Sequence, residues 1–185
     1  MDTLELLLHP VRLRIVHAMS GWRTRTTSEL SARLPDVPRT TLYRHVGLLA
    51  DAGFLEVVDE QRVHGAVERT YRLRRDRPRI GADAAASMTL EDHRQGFAAA
   101  MAALLAEFNA YLDRPGSDPM ADLVSYRQRP LWLSRDELGD LVRDLSGAVM
   151  PSWENEPAPG RTPHLLSTVL FPIEGSDVED SDPDR

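Results

Sequence analysis

The chain of 185 residues contains no cysteine. This excludes disulfide frameworks, thiolate zinc sites and cysteine nucleophiles. Long apolar runs are also missing, since none approaches the roughly 20 residues that a membrane-spanning helix needs. The first residues include Asp2 and Glu5, where a secretion signal would be positively charged. We therefore expect a cytoplasmic protein that has no contact with a membrane.

Lysine is absent as well, so all 22 basic residues are arginines. The net charge of −7 argues against a protein that coats nucleic acid indiscriminately. The charges are unevenly distributed, however. Residues 1–80 contain 14 basic and 10 acidic residues, a net charge of +4, whereas residues 81–185 contain 8 and 19, a net charge of −11. The N-terminal part is therefore the one suited to an anionic partner.

The pattern predicts an α+β fold in two parts, because an Arg-, Pro- and Gly-containing stretch at residues 74–86 has the composition of a linker. We expect a DNA-binding domain over residues 1–80 and a dimerisation domain, with a possible effector site, over residues 81–173. The acidic residues 174–185 are expected to form a disordered tail.

Three helices and a hairpin are predicted in the first part. The first helix covers residues 2–19, with a break or restart at Pro10. Thr26 and Glu29 have the spacing of a capping box and begin a second helix. After a turn at residues 34–38, a third helix covers residues 39–52 and ends at Gly53. Two strands follow, at residues 54–59 and 67–73, and polar residues join them.

The third helix has two different faces. Leu42, Val46 and Leu49 recur at helical spacing and can face a core, which turns Thr40 and Arg44 outward. The outward face is short, polar and basic. His45 lies nearer the apolar side, where packing is the preferred interpretation over DNA contact.

The second part is predicted to be an α-β-α-β module. A long helix covers residues 89–114, and its alanines widen a smooth face that another helix could approach closely. A strand is predicted at residues 123–133, at an edge because of Pro130. Ser134 and Glu137 form a second capping box, beginning a helix that ends near Pro151. A last strand is expected at residues 164–173.

Three helices followed by a hairpin make a winged helix-turn-helix, whose third helix enters the major groove of DNA. Such a helix needs polar side chains for base edges, the wing needs donors for phosphate or the minor groove, and the N-terminus of the second helix attracts phosphate. The residues predicted to contact double-stranded DNA are Arg39, Thr40, Thr41, Tyr43 and Arg44 of the third helix, Gln61, Arg62 and His64 of the wing, and Arg23, Arg25, Thr27 and Ser28 near the second helix.

Three phrases in this order and spacing, HPVRLRIVHAM, TTLYRHVGLLADAGFLEVV and VHGAVERTYRL, resemble the arsenical-resistance-repressor (ArsR) type of winged-helix regulator. The resemblance covers residues 4–74. Residues 120–173 resemble, more loosely, the C-terminal extension of a subgroup of these regulators. The resemblance to the ArsR type implies a bacterial homodimer that acts as a repressor and is released by a signal. Metal-sensing members use thiolates or His with carboxylates, and this chain lacks such a set, so no metal or other cofactor is expected.

Other interpretations remain open for several residues. Phe97, Phe108, Tyr126, Trp132 and Trp153 could line a pocket for an apolar effector, although core and dimer interface are the preferred interpretation. The main alternative function is a winged helix that binds protein rather than DNA, which the overall negative charge favours. An enzyme is ranked last, because the sequence has no phosphate-binding loop, nucleophile elbow or zinc-protease motif.

Overall fold

A computed structural model describes residues 6, 8–21, 23–63, 66–74, 76, 86–153 and 155–173. Helices and strands are mixed in it, which confirms the predicted α+β class. The elements in chain order are α1 Pro10–Met19, β1 Thr24–Thr26, α2 Thr27–Arg33, α3 Arg39–Asp51, β2 Leu55–Val63, β3 Ala66–Leu73, α4 Leu90–Leu112 and α5 Arg135–Trp153.

Two compact units are present, Met1–Ser117 together with Glu156–Pro159, and Asp118–Asn155 together with Gly160–Arg185. The first unit continues beyond the boundary predicted at residue 80 because α4 packs against α1. Ala99 and Ala103 of α4 are buried, and a Cβ added at Gly96 would lie 3.0 Å from Cδ2 of Leu8. The small residues of α4 therefore accommodate the chain's own N-terminal segment.

Capping side chains, a proline and a glycine set the ends of the helices in the first unit. His9 caps α1, its Nδ1 accepting a hydrogen bond from the Val11 backbone at 3.2 Å, and Pro10 occupies the first turn. A helix thus begins at Pro10, where a break or restart of the first helix was predicted, while residues 1–5 and 7 lie outside the described residues. Thr26 and Glu29 form the predicted capping box of α2. Gly53 has φ +76 just after α3, as its predicted role as a helix terminator requires.

The sheet has three antiparallel strands in the order β1-β3-β2. Strand β1 was not predicted, and it pairs Thr24 with Arg72 and Thr26 with Thr70. The β2–β3 ladder is longer than predicted, with an irregularity between Val57 and Asp59. Residues 61 and 62, predicted in the connecting loop, therefore lie on β2. His64 lies outside the described residues.

One hydrophobic core joins α1, α2, α3 and the sheet. Each leucine or isoleucine buried there contributes roughly 1.5–3 kcal/mol relative to exposure. Two arginines of α1, Arg12 and Arg14, are also buried, which the apolar pattern did not predict. The fully or nearly fully buried core side chains include Leu6, Ile15, Met19, Leu30, Leu34, Leu42, Val46, Leu49, Phe54 and Leu73.

The second unit contains α5 and long stretches without regular structure. Its predicted capping box is confirmed: the Ser134 backbone N–H donates to Glu137 Oε2 at 2.8 Å. The helix continues through Pro151 to Trp153, two residues beyond the predicted end. The strands predicted at residues 123–133 and 164–173 are not formed within the described chain, where neither stretch pairs with another strand. The predicted α-β-α-β arrangement is therefore not formed within one chain. Residues 174–185, the predicted acidic tail, and most of the predicted linker lie outside the described residues.

Candidate nucleic-acid interface

Helix α3 follows the turn at residues 34–38 and presents opposite faces to the core and to solvent. Leu42, Val46 and Leu49 are at most 1% exposed and fix the helix to the hydrophobic core. The structure places the predicted reading residues away from this buried face: Arg39, Thr40, Tyr43 and Arg44 are exposed and Thr41 is partly exposed.

His45 belongs to the inner side of α3. It is 1% exposed, and its ring centroid lies 4.3 Å from that of His9, the residue that caps α1. Burial, followed by the charges of His9, Arg44 and Arg12, lowers the pKa of His45 to about 4. The residue is therefore neutral near pH 7 and packs between α1 and α3, which confirms the packing interpretation.

The arginines of this region differ in whether an acidic group already neutralises them. In the β2–β3 hairpin, Arg69 pairs with Glu60 at 2.7 Å and Arg72 pairs with Glu56 at 2.7 Å. The ion pairs found among the described residues include none with Arg39, Arg44 or Arg62. No carboxylate of the described residues therefore neutralises these three guanidinium groups, and Nη2 of Arg44 lies 3.5 Å from Nε2 of His45. An anion from outside the chain can pair with them.

The third predicted group lies around β1 and the start of α2. Arg25 is in β1, where its Nε donates to the Ala18 carbonyl at 3.1 Å, and Arg23 directly precedes the strand. Ser28 is exposed, but Thr27 is only 5% exposed, so its side chain is not accessible to a phosphate.

The N-terminus of α2 also has an internal anion. The Glu29 carboxylate accepts the Thr26 backbone N–H at 2.8 Å and lies where a phosphate would otherwise bind. The structure therefore favours α3 and the hairpin over the start of α2 as the principal contact surface.

Arg33, at the end of α2, was not predicted as a site residue. Burial lowers its pKa, and the charges of Arg25, Arg114 and Arg23 lower it further, while Glu107 acts in the opposite direction. The like charges of Arg25, Arg114 and Arg23 lower the pKa because they disfavour the protonated form of Arg33. The sequence signal was weak, because Arg114 follows Arg33 by about eighty positions.

The five residues predicted for an apolar effector site do not form an enclosed site in either unit. Phe97 and Phe108 belong to α4 of the first unit, whereas Tyr126, Trp132 and Trp153 belong to the second unit. Trp132 is 87% exposed and Trp153 is 73% exposed. Such exposure fits neither a ligand pocket nor a core within one chain, while the dimer interface, the other part of the preferred interpretation, stays a prediction.

The described part of the chain has neither a metal-binding cluster nor a membrane-spanning helix. It contains no group of three or more His, Asp or Glu side chains that could hold a metal ion. It also contains no helix that is both long and apolar enough to cross a bilayer.

Comparison with known families places a helix-turn-helix domain at residues 7–58 of this chain. The match covers α1, β1, α2, α3 and the start of β2. No curated protein matches the chain. A helix-turn-helix domain followed by an antiparallel hairpin is the architecture of a DNA-binding regulator, and α3 is the second helix of the motif.

Proposed function

We propose that this protein is a sequence-specific DNA-binding transcription regulator of the winged helix-turn-helix type, and that α3 reads base edges in the major groove. The observation that carries the proposal is the division of α3 into two faces. Its inner face is fixed to the core, while Arg39 and Arg44 lie on the outer face with no ion-pair partner among the described residues. Arginine binds the O6 and N7 atoms of guanine in a bidentate manner, so its place on this face suits base recognition.

Hairpin β2–β3 is proposed to act as the wing. Gln61 and Arg62 lie on β2 close to the connection with β3 and are exposed. They would contact phosphate or the minor groove, which positions the protein without specifying much sequence. The net charge of +4 over residues 1–80 supports this arrangement, because it attracts DNA to the part of the chain that carries the motif.

The active form is proposed to be a homodimer. On α4, Phe97, Leu105 and Leu112 are 50%, 62% and 43% exposed and form an apolar stripe, while Ala99 and Ala103 are buried. This stripe is a candidate contact for a second copy. Two copies related by a twofold axis would present two α3 helices to successive major grooves, about 34 Å apart. By resemblance to the ArsR type, the dimer would repress transcription and be released by a signal.

Footprinting of the full chain on genomic fragments, including DNA upstream of its own gene, tests the proposal. We expect a protected site with two similar half-sites whose centres are about 10 base pairs apart. Binding should weaken steeply between about 50 and 200 mM salt. Uniform, sequence-independent protection at all salt concentrations would contradict it.

The alternative is a winged helix that binds a protein. The observation in its favour is that Arg69 and Arg72 of the hairpin are already paired with acidic residues in a chain of net charge −7. Such a module would give no sequence-specific complex with DNA at physiological salt, so the same footprinting experiment separates the two functions.

A further inference from the structure

The second unit contains an amphipathic helix, α5, that buries none of its side chains against the described part of the chain. In α5, charged residues such as Asp140 and Arg143 lie apart from an apolar face, yet no residue of the helix is buried. Leu138, Val142 and Leu145 of that face are 39%, 47% and 43% exposed. An amphipathic helix gains most of its stability by burying its apolar face, so this face requires a partner surface.

Two extended segments of the same unit also expose their apolar side chains. Residues 123–133 and 164–173 contain many apolar residues, and Trp132, Leu166 and Leu170 are 87%, 63% and 50% exposed. Residues 164–173 contain no Asp, Glu, Lys or Arg. Neither segment belongs to the three-stranded sheet of the described chain, so their strand-like composition has no ladder to join.

The amount of exposed apolar surface indicates the size of the missing partner. Large apolar side chains at 17 positions of the second unit, from Met120 to Ile173, are 38–87% exposed. A stable interface buries about 800 Å² on each partner, contributed by about 20–30 residues. The exposed apolar side chains of the second unit therefore approach in number the residues that one partner contributes to a stable interface.

We propose that the second unit is completed by a second copy of this chain, in which residues 123–133 of one copy pair with residues 164–173 of the other over the apolar faces of the two α5 helices. This inference rests on the homodimer of the proposed function and deepens it by naming a second interface. It is independent of whether the first unit binds DNA.

A second copy fits this surface because the unit contains both an apolar helix face and extended segments without a paired strand. Each copy supplies two extended segments and one amphipathic face, and a twofold arrangement uses all of them reciprocally. Such a closed arrangement also protects the strand edges, which would otherwise recruit further chains and aggregate. A partner of another kind would have to supply a matching apolar helix and strand edge of its own.

Tryptophan fluorescence provides the first test, because two of the three tryptophans, Trp132 and Trp153, lie in the second unit. The full chain with Trp22→Phe should be dimeric by light scattering, and acrylamide should quench its emission several-fold less than that of an unfolded control. Leu145→Asp should restore full quenching. Arg143→Gln is the matched control, since it changes the net charge by the same amount on the charged face, and it should behave like the parent chain. Fully quenchable tryptophans in the purified parent chain would overturn the proposal.

Disulfide cross-linking provides the second test and remains informative if Leu145→Asp fails to fold. The chain has no cysteine, so every cross-link reports an introduced pair. Copies with Val124→Cys or Gln128→Cys are mixed with differently tagged copies with Thr168→Cys or Leu170→Cys and oxidised. We expect at least one combination to give a covalent heterodimer, whereas Ser117→Cys with Thr168→Cys should give none.

Two results of the cross-linking would overturn the proposal. One is the absence of a heterodimer in every combination. The other is a double variant whose disulfides form only within single monomeric chains, which would show that the two segments pair in the same copy. If cross-linking succeeds while footprinting finds no specific site, the proposed function fails and the second-copy interface stands.

Discussion

The guanidinium group of Arg14 binds the carboxylate of Asp36 in a bidentate pair, with distances of 2.6 Å from Nη1 to Oδ2 and 2.9 Å from Nη2 to Oδ1. Nε of the same arginine donates to Glu107 at 3.3 Å. The Arg14 side chain is only 4% exposed, so one buried cation joins α1, the turn before α3, and α4. This pair fixes the turn that leads into the proposed reading helix.

Asp36→Asn should lower the free energy of unfolding by about 1–2 kcal/mol, because the buried Arg14 then loses most of its compensating charge. The Asp36 side chain is 58% exposed, which keeps the loss below that of a fully buried pair. Glu60→Gln is the control, since the Arg69–Glu60 pair has a similar distance of 2.7 Å with both side chains about half exposed. Urea unfolding should show that this variant loses less than about 0.5 kcal/mol of the free energy of unfolding. Equal losses for the two variants would contradict the account.

Stability should fall as the pH falls from 6.5 to about 4. Burial, followed by the charges of His9, Arg44 and Arg12, lowers the pKa of His45 from 6.5 to about 4, so in this range the unfolded chain binds a proton that the folded chain excludes. The contribution is complete above pH 6.5. Its loss toward pH 4 is on the order of 3 kcal/mol, since one pKa unit corresponds to about 1.4 kcal/mol.

Urea unfolding at pH 5 and pH 7.5 measures this effect. The difference between the two pH values should shrink in His45→Leu and remain unchanged in His93→Gln, which removes an exposed histidine of α4. His9 also has a lowered pKa, mainly through burial, so part of the difference should persist in His45→Leu. An unchanged difference in His45→Leu would assign the pH dependence to other groups.

Substitution by alanine should change the stability of the protein in opposite directions at two glycines, one inside α3 and one just after it. Gly53 has φ +76, so Gly53→Ala should destabilise the protein by about 1 kcal/mol even though no atom lies within 4 Å of the added Cβ. Gly47 is inside α3 with the same open space, so Gly47→Ala should stabilise it by about 0.5–1 kcal/mol. Thermal unfolding should shift the midpoint down for the first variant and up for the second. Shifts of the same sign would show that helix propensity and backbone strain do not govern these positions.

The proposed wing should contribute affinity without much sequence specificity. Arg62→Ala should weaken binding to operator and random DNA by a similar factor and reduce the slope of log affinity against log salt by about 1. Arg69→Ala should have a smaller effect, because that arginine is paired with Glu60. Fluorescence anisotropy over a salt series distinguishes the two variants, and a loss confined to operator DNA would assign Arg62 to base recognition instead.

The sequence predicted the elements that depend on local signals. The capping boxes at Thr26 and Ser134 and the terminator at Gly53 are formed by residues within a few positions of one another, and each is found as predicted. The two faces of α3 were predicted for the same reason, because its apolar residues recur at helical spacing.

The features that were not predicted correctly from the sequence depend on partners that are distant in the sequence or outside the chain. Strand β1 has three residues and no periodicity, and it exists because Thr24–Thr26 pairs with β3. The partners of Arg14 lie 22 and 93 positions away, which no pattern reveals. Residues 123–133 and 164–173 have the composition of strands, but composition does not supply a neighbouring strand.

The central claim, that α3 reads base edges through Arg44, is tested most directly by measuring the affinities of two arginine variants for operator and for random DNA. Arg44→Ala should weaken operator binding by about 1–3 kcal/mol and random-DNA binding by much less. Arg94→Ala removes an equally charged, exposed arginine that is paired with Glu91 on α4 at 3.0 Å, and it should leave both affinities unchanged. An operator affinity that Arg44→Ala leaves unchanged, or lowers no more than the affinity for random DNA, would contradict the account.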